Sequence, residues 1–321
     1  MGKRIIVTGG AGFLGRHVCD LADSRGDDVI SLDLQKRDEP YIHLQGSVTD
    51  DTLWDGLPSA DVVVHGAALT NLWHKDPSAF EEVNVGGTAK ALKYAERVGA
   101  RFIYISSYTA SLPRKASRPF TVSHRTVIDR TALAGRYPRS KWDAERLCEA
   151  SPVPTTILRP TAPIGPGDYG PTPPMGLVRD LVSGELPGIM AGSINVVDVR
   201  DLAQAVFSAV HRGEEGHAYL LSGYDLPLKS FAKMIAMEAR VKAPGLVVPP
   251  FVARLAARFD GLKSALTGSP VTAPLDGVRL ASLPVTFDAS AAQTDLLFDP
   301  RPLEMTINDA VEFARQELLL G

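Results

Sequence analysis

In the segment Tyr137-Pro-Arg-Ser-Lys141 a phenol and an ammonium group stand four residues apart. On a helix that spacing puts both side chains on one face. A positive charge beside a phenol favours its phenolate form. Tyr137 can then give a proton to a carbonyl oxygen as it is reduced, or take one from an alcohol as it is oxidised. Two serines, Ser106 and Ser107, end the apolar run RFIYISS at 101–107 upstream, and Thr109 adds a nearby hydroxyl. A hydroxyl from this group can hold the reacting oxygen in line with Tyr137. Such a pair occurs often by chance, and the opening of the chain makes it specific.

That opening, KRIIVTGGAGFLGRHV at 3–18, is a short apolar strand, glycines at 9, 12 and 15, and a helix. Gly9 permits a tight turn, Gly12 lets backbone approach a pyrophosphate, and Gly15 allows close helix–strand contact. The first helical turn, with Phe13 and Leu14, offers unpaired N–H groups and the favourable end of the helix dipole. Asp33 ends the next strand, 24 residues after Gly9. A carboxylate there accepts the ribose hydroxyls and repels a 2′-phosphate, which favours NAD over NADP. Lys36 and Arg37 follow closely and keep NADP as the alternative. Leu34, Ser47 and Val48 complete the candidate cofactor-binding set on this side, and Asp50 can reach the adenine or simply face solvent. The chemistry expected is hydride transfer with a nicotinamide.

The elements that must position these groups follow from the pattern. Strands are expected at 4–8, 29–33, 42–45, 61–65, 101–106 and 155–160. Helices are expected at 12–24, 77–98 and 135–150. Short β-rich runs alternating with longer helices predict a parallel sheet covered on both faces, a Rossmann doubly wound α/β fold. Residues 162–176 are rich in Gly and Pro and read as loop. Later helices are expected at 175–184, 201–212, 228–240, 251–265 and 306–318, with strands at 195–199 and 217–221. This divides the chain into a nucleotide-binding core, 1–165, and a small mixed substrate lobe, 166–321, interleaved with final core elements at about 195–222.

The same motifs carry a family resemblance over nearly the whole chain. TGGAGFLG at 8–15, Asp33, HGAA at 65–68, NVGGT at 84–88, YISS at 104–107, YPRSK at 137–141, RPTAPIGPGD at 159–168, DVRDLAQA at 198–205 and FDP at 298–300 resemble an extended short-chain dehydrogenase/reductase. The resemblance implies a catalytic triad of Ser107, Tyr137 and Lys141, with Ser107 at the family position after the strand. It implies that Lys141 also holds the nicotinamide ribose. Asn84 would support the sheet and proton-relay region, Ala67 and Ala68 would line the cofactor channel, and Pro160, Thr161 and Ala162 would sit beside the nicotinamide. It further implies a homodimer built on the helix at 77–98 and the one bearing Tyr137.

Within the family, LTNLWHKDPSAFEEVNVGGT at 69–88 and PTAPIGPGDYGPTPPMG at 160–176 resemble the dihydroflavonol reductase/3β-hydroxysteroid dehydrogenase group and bacterial proteins labelled sugar epimerases. Sugar-nucleotide epimerases usually place an arginine before the late strand, where this chain has Ile194. The leading expectation is therefore an oxidoreductase interconverting a secondary alcohol and a ketone. The alternative is an epimerase or dehydratase acting on a nucleotide sugar. A non-enzymatic nucleotide-binding scaffold is disfavoured by the presence of both Tyr137 and Lys141.

The remaining sequence bounds the substrate and the setting. Between 112 and 136 lie Arg114, Lys115, Arg118, Arg125, Arg130, Arg136 and His124 against one acid, Asp129. That stretch can recruit an anionic small-molecule substrate, or it can be a solvated loop. Trp73, Tyr108 and Tyr169 are candidate pocket walls, with Met175 and Met190 as softer ones. His65, His74 and His124 form no metal set, and hydride transfer needs none. A formal net charge of -3 over 321 residues gives no whole-surface case for nucleic acid. Two cysteines, Cys19 and Cys148, suit a reducing compartment. The chain enters a strand at once and holds no apolar run long enough for a membrane span, so a cytoplasmic location is expected.

Overall fold

Buried β-branched runs build the centre of the molecule. A computed structural model describes residues 2–320 except 268, 270 and 272. Seven strands form one sheet: β1 (Arg4–Thr8), β2 (Asp28–Asp33), β3 (Ile42–Gln45), β4 (Val62–His65), β5 (Arg101–Ile105), β6 (Thr155–Pro160) and β7 (Ala218–Leu221). Their order is β7-β6-β5-β4-β1-β2-β3, and every pair is parallel. Alternation within β1 shows why both faces are covered. Ile5 and Val7 pack with the helices Phe13–Ser24 and Val199–Arg212. Ile6 packs on the opposite face with the helices Gly87–Val98 and Arg136–Ala150. Strand order reverses beside β1, and ligands of such sheets bind at the carboxyl ends there. Gly9, Asp33, Ala67, Ser107 and Thr161 all follow or end strands on that edge.

Several later elements differ from expectation. Ala162–Ile164 is a strand, not loop, and pairs in parallel with Ser193–Asp198. Its Ala162 and Ile164 are buried, so long-range pairing overrides the local Gly and Pro content. The expected helix at 77–98 begins as a π-helical stretch, Phe80–Gly86, before the α-helix Gly87–Val98. The basic stretch is anchored and does not float: Phe120–Val122 pairs in parallel with Val285–Phe287. A third unforeseen pairing joins Gly188–Met190 to Leu246–Val248. A further helix, Leu275–Ala281, was hidden in a Gly- and Pro-punctuated segment. Among the described residues no helix is long and apolar enough to cross a membrane.

Candidate active site

The glycine turn is shaped by contacts that tolerate no side chain. Gly9 adopts a left-handed φ of +72°, and a Cβ there would lie 2.8 Å from the Ala67 nitrogen. A Cβ on Gly15 would lie 2.0 Å from the Gly9 carbonyl oxygen, so the helix Phe13–Ser24 can approach the turn only through glycine. Gly12 precedes that helix, and its one close neighbour for a Cβ is the same carbonyl at 3.0 Å. The N–H groups of the helix's first turn have no intrahelical partner. Asp33 faces this turn: its carboxylate accepts the Ala11 N–H at 3.1 Å and the Gln35 N–H at 3.0 Å. Nearby, Arg37 is engaged by Glu39 at 2.8 Å. Leu34 is exposed, whereas Val48 is buried and accepts the Trp54 indole N–H at 2.9 Å. The Ser47 and Thr49 hydroxyls are 2.8 Å apart. Asp50 caps the short helix Asp51–Asp55 by accepting the Thr52 N–H and hydroxyl at 2.9 and 2.8 Å.

Tyr137 and Lys141 sit in the first two turns of Arg136–Ala150, both buried. The Lys141 ammonium donates to the Ile105 carbonyl at 2.6 Å and lies 4.6 Å from the Tyr104 ring centroid. Burial depresses it to about 8, although Glu145 and Cys148 act in the opposite sense. Burial also pushes the Tyr137 phenol above its ordinary range, and a hydrogen bond with Ser107 pulls it partway back.

The two adjacent serines follow β5 and engage different partners. Ser107 accepts the Thr109 N–H at 3.2 Å and the Thr109 hydroxyl at 2.9 Å, which leaves its own proton to donate. Ser106 instead donates to the buried Glu145 carboxylate at 2.6 Å. Glu145 is gripped by the Arg159 guanidinium through bonds of 2.9 and 2.8 Å. Thr109 is thus a support for Ser107, and Ser106 belongs to a separate ion-pair cluster.

Behind the site runs a directional hydrogen-bond chain. Ala67 N–H donates to Thr8 Oγ1 at 3.2 Å, and Thr8 Oγ1 lies 2.8 Å from His65 Nδ1. His65 Nε2 lies 3.1 Å from Thr88 Oγ1, which donates to the Asn84 carbonyl at 2.7 Å. Since Thr88 spends its proton on Asn84, His65 must donate through Nε2 and accept through Nδ1. Burial, with the Lys141 charge adding to it, depresses His65 to about 3, so the ring stays neutral. The Asn84 amide accepts the Leu69 N–H at 2.8 Å and donates to the Ser140 hydroxyl at 2.9 Å, which donates in turn to the Tyr137 carbonyl at 2.9 Å. The π-helical stretch carries Asn84 into this position, a usual role for such irregularities. Thr8, Thr88 and Ser140 were not among the expected site residues. Thr8 ends β1 beside Gly9, and Ser140 precedes Lys141, so proximity was the only available signal.

Pro160 ends β6, and Thr161 follows it, donating to Asn195 Oδ1 at 2.7 Å. Ala68, Pro160 and Ala162 lie with Ala67 at the same sheet edge. Of the expected pocket walls, Tyr108 stands close enough to Tyr137 to be affected by its charge, and burial pushes it up to about 12. It also packs edge-on against Phe287, 5.4 Å between centroids. Trp73 is half-buried. Tyr169 packs away from these groups, between Arg16 at 4.4 Å and Phe313 at 5.4 Å. Met175 is a fully buried core residue whose sulfur accepts the Gly165 N–H, while Met190 is half-buried. Among the described residues no group of three or more metal-binding side chains converges.

A family model described as the NAD-dependent epimerase/dehydratase family matches residues 5–222. The chain belongs to that family. It is an NAD-dependent enzyme of the extended short-chain dehydrogenase/reductase type, as the motifs implied. A Synechocystis sp. protein provisionally assigned as a dihydroflavonol 4-reductase is 27% identical over 98% of this chain and 95% of its own. Sterol demethylase protein B of Methylococcus capsulatus is 26% identical, covering 97% and 98% of the two chains. The crystal structure of gox2253 superposes with a TM-score of 0.83 at 27% identity, covering 97% of this chain and 98% of that one. UDP-glucose 4-epimerase of Thermotoga maritima, solved with UDP-glucose, shares the fold with a TM-score of 0.78 at 20% identity over 98% and 99%.

Proposed function

We propose that this enzyme interconverts a secondary alcohol and a ketone on a largely apolar small molecule, with NAD as the preferred cofactor. The observation that carries the reading is the buried Ser107–Tyr137 pair with Lys141 one turn away, separated from the saturated Ser106–Glu145–Arg159 cluster. The glycine turn fits a pyrophosphate, since Gly12 presents open backbone where any side chain would intrude. Asp33 stands ready for the ribose hydroxyls, and Arg37 is already neutralised by Glu39, which favours NAD over NADP.

Bound cofactor would supply or accept the hydride. Ser107 would donate its free proton to the substrate oxygen and hold it against Tyr137. Tyr137 would pass its phenolic proton to that oxygen during reduction, or remove one during oxidation. Lys141, held by Ile105, would place positive charge beneath the developing phenolate. Tyr108, Leu72, Phe287 and Leu280 belong to one apolar cluster next to Tyr137, a wall suited to rings or hydrocarbon. Of the basic groups expected to recruit an anion, Arg130 is clamped by Asp143 at 2.6 and 2.7 Å and Arg125 donates to His124. Ile194 is half-buried in apolar packing, and the later Arg200 and Arg301 are engaged by Asp198, Asp201 and Asp309. Arg130, Arg200 and Arg301 are thus paired with carboxylates, which weighs against a nucleotide-sugar diphosphate at those positions.

The test is absorbance at 340 nm with NADH or NADPH against a panel of cyclic and long-chain ketones, and with NAD or NADP against the matching alcohols. Sustained stoichiometric cofactor turnover is expected. No net turnover, with cofactor retained through purification and interconversion of a nucleotide sugar, would replace this reading with the epimerase one.

A further inference from the structure

The helix Pro250–Thr267 is turned inside out. Its inward face carries Ala253, Ala257, Gly261 and Ser264, small residues that pack it against Leu275–Ala281. Its outward face carries Phe251, Leu255, Phe259, Leu262 and Leu266. Phe251 is 71%, Phe259 62% and Leu266 80% exposed. Their spacing of four, four, three and four residues makes one continuous stripe along the helix. At 100° per residue, Arg254 and Arg258 flank the stripe on one side and Lys263 on the other. Leu246 and Val247, immediately upstream, are exposed as well.

Charge decides what this face fits. Residues 240–267 hold Arg240, Lys242, Arg254, Arg258 and Lys263 against the single acid Asp260, in a chain whose net charge is -3. Asp260 is turned inward, where its carboxylate accepts the Ala273 N–H at 3.2 Å. A second copy docking on this stripe would set arginines against arginines with no carboxylate to answer them. An interfacial helix needs the opposite arrangement to a soluble one: apolar side chains outward and bordered by cations that reach lipid headgroups.

We infer that the Pro250–Thr267 helix seats the enzyme on an anionic lipid bilayer surface, with Phe251, Leu255, Phe259, Leu262 and Leu266 entering the headgroup boundary and Arg254, Arg258 and Lys263 meeting lipid phosphates. The location has a consequence for the reaction. The supporting helix Leu275–Ala281 touches the site: Gly277 lies against Leu72, and the Asp276 carboxylate covers Gly135, two residues before Tyr137. A docked helix would therefore hold the apolar wall beside Tyr137 close to the membrane from which a hydrocarbon-rich substrate would come. Only that last link rests on the proposed reaction. Lipid binding itself is read without turnover, so failure of the ketone assay leaves it standing.

The test is co-sedimentation of the full chain with vesicles of phosphatidylcholine alone and with about 30 mol % phosphatidylglycerol added. The expected result is binding to the anionic vesicles, weakened by salt, with little binding to the neutral ones. Leu255→Asp/Phe259→Asp should lower the partition coefficient about tenfold or more. Arg254→Ser/Arg258→Ser should remove the preference for phosphatidylglycerol. NADH binding equal to wild type would certify the fold of each variant. The inference is overturned if wild type stays in solution with both vesicle types, or if both double variants sediment as wild type does. It is also overturned if sedimentation velocity shows that Leu255→Asp/Phe259→Asp merely splits a dimer, which would make the stripe a contact between copies.

Discussion

Two hydrogen-bonded clusters share the helix Arg136–Ala150 and the end of β5, and they are built to opposite rules. Ser106, Glu145 and Arg159 are saturated: both carboxylate oxygens are taken, and the guanidinium binds them as a fork. Ser107, Tyr137 and Lys141 are left with capacity. The Ser107 proton is uncommitted by Thr109, and the phenol and ammonium are each buried against their ionised forms. Just past the end of β5, one residue along the chain separates a clamp from the proposed reactive site. The contrast teaches that adjacency in sequence assigns no role here; what each hydroxyl has left to donate does.

The sharpest way to break the contrast is Tyr137→Phe. Turnover followed at 340 nm should fall about 10²–10⁴-fold, because the proton donor is gone. NADH affinity and melting temperature should stay near wild type. A variant with full activity would end the proposed mechanism.

Glu145→Ala attacks the other cluster and should do the reverse. Removing it strands the Arg159 charge, which is buried with it, at a cost of about 3–5 kcal/mol. Chemical denaturation should show that loss, with turnover per folded molecule kept only at low pH, since the Lys141 value falls once Glu145 no longer raises it. Between these extremes lies the serine pair. Ser107→Ala should lower turnover with little loss of stability. Ser106→Ala should cost about 1–3 kcal/mol, since a buried carboxylate oxygen loses one donor, and leave the chemistry in place. Equal losses of activity in both variants would merge the two clusters into one.

The parts that reading the sequence captured are those fixed by local sterics. Gly9 and Gly15 are forced because a Cβ at either would lie within 3 Å of backbone atoms, so their spacing alone announces the turn. The seven-stranded sheet follows from runs such as Ile5–Ile6–Val7, which are apolar on both faces. The assignments that failed depend on partners far along the chain. Nothing near Ala162–Ile164 says that Ser193–Asp198 will pair with it. Within the basic stretch, Arg130 has a counter-charge that reading the sequence missed, Asp143, which lies outside the stretch. Met175 looked available for a pocket and is instead enclosed by the helices Pro173–Ser183, Leu228–Ala239 and Leu303–Leu320.

Lys141 gives a smaller and two-sided test. Its ammonium is held at about 8 by burial, so the charge beneath Tyr137 is lost as pH rises through that value. The ketone-reduction rate should decline above about 8, and Lys141→Arg, if tolerated, should move that decline upward. Stability should move the other way. The folded chain releases this proton before the unfolded one does, so between about 8 and the ordinary lysine value of 10.5 the contribution of Lys141 rises with pH. A rate and a stability that fall together above 8 would assign the titration to another group.

The smallest expected effect lies at the nucleotide turn, far from either cluster. Asp33→Ala removes the acceptor that faces Ala11 and the ribose position, and should weaken NAD about tenfold while changing NADP little. The ratio of the two dissociation constants, from fluorescence titration, is the readout. It isolates the carboxylate from general loosening of the loop, which would weaken both cofactors alike. Adding Glu39→Gln frees Arg37 from its ion pair and should carry the ratio further toward NADP. If the double variant only matched the single one, Arg37 would be irrelevant to the choice, and discrimination would rest on repulsion by Asp33 alone.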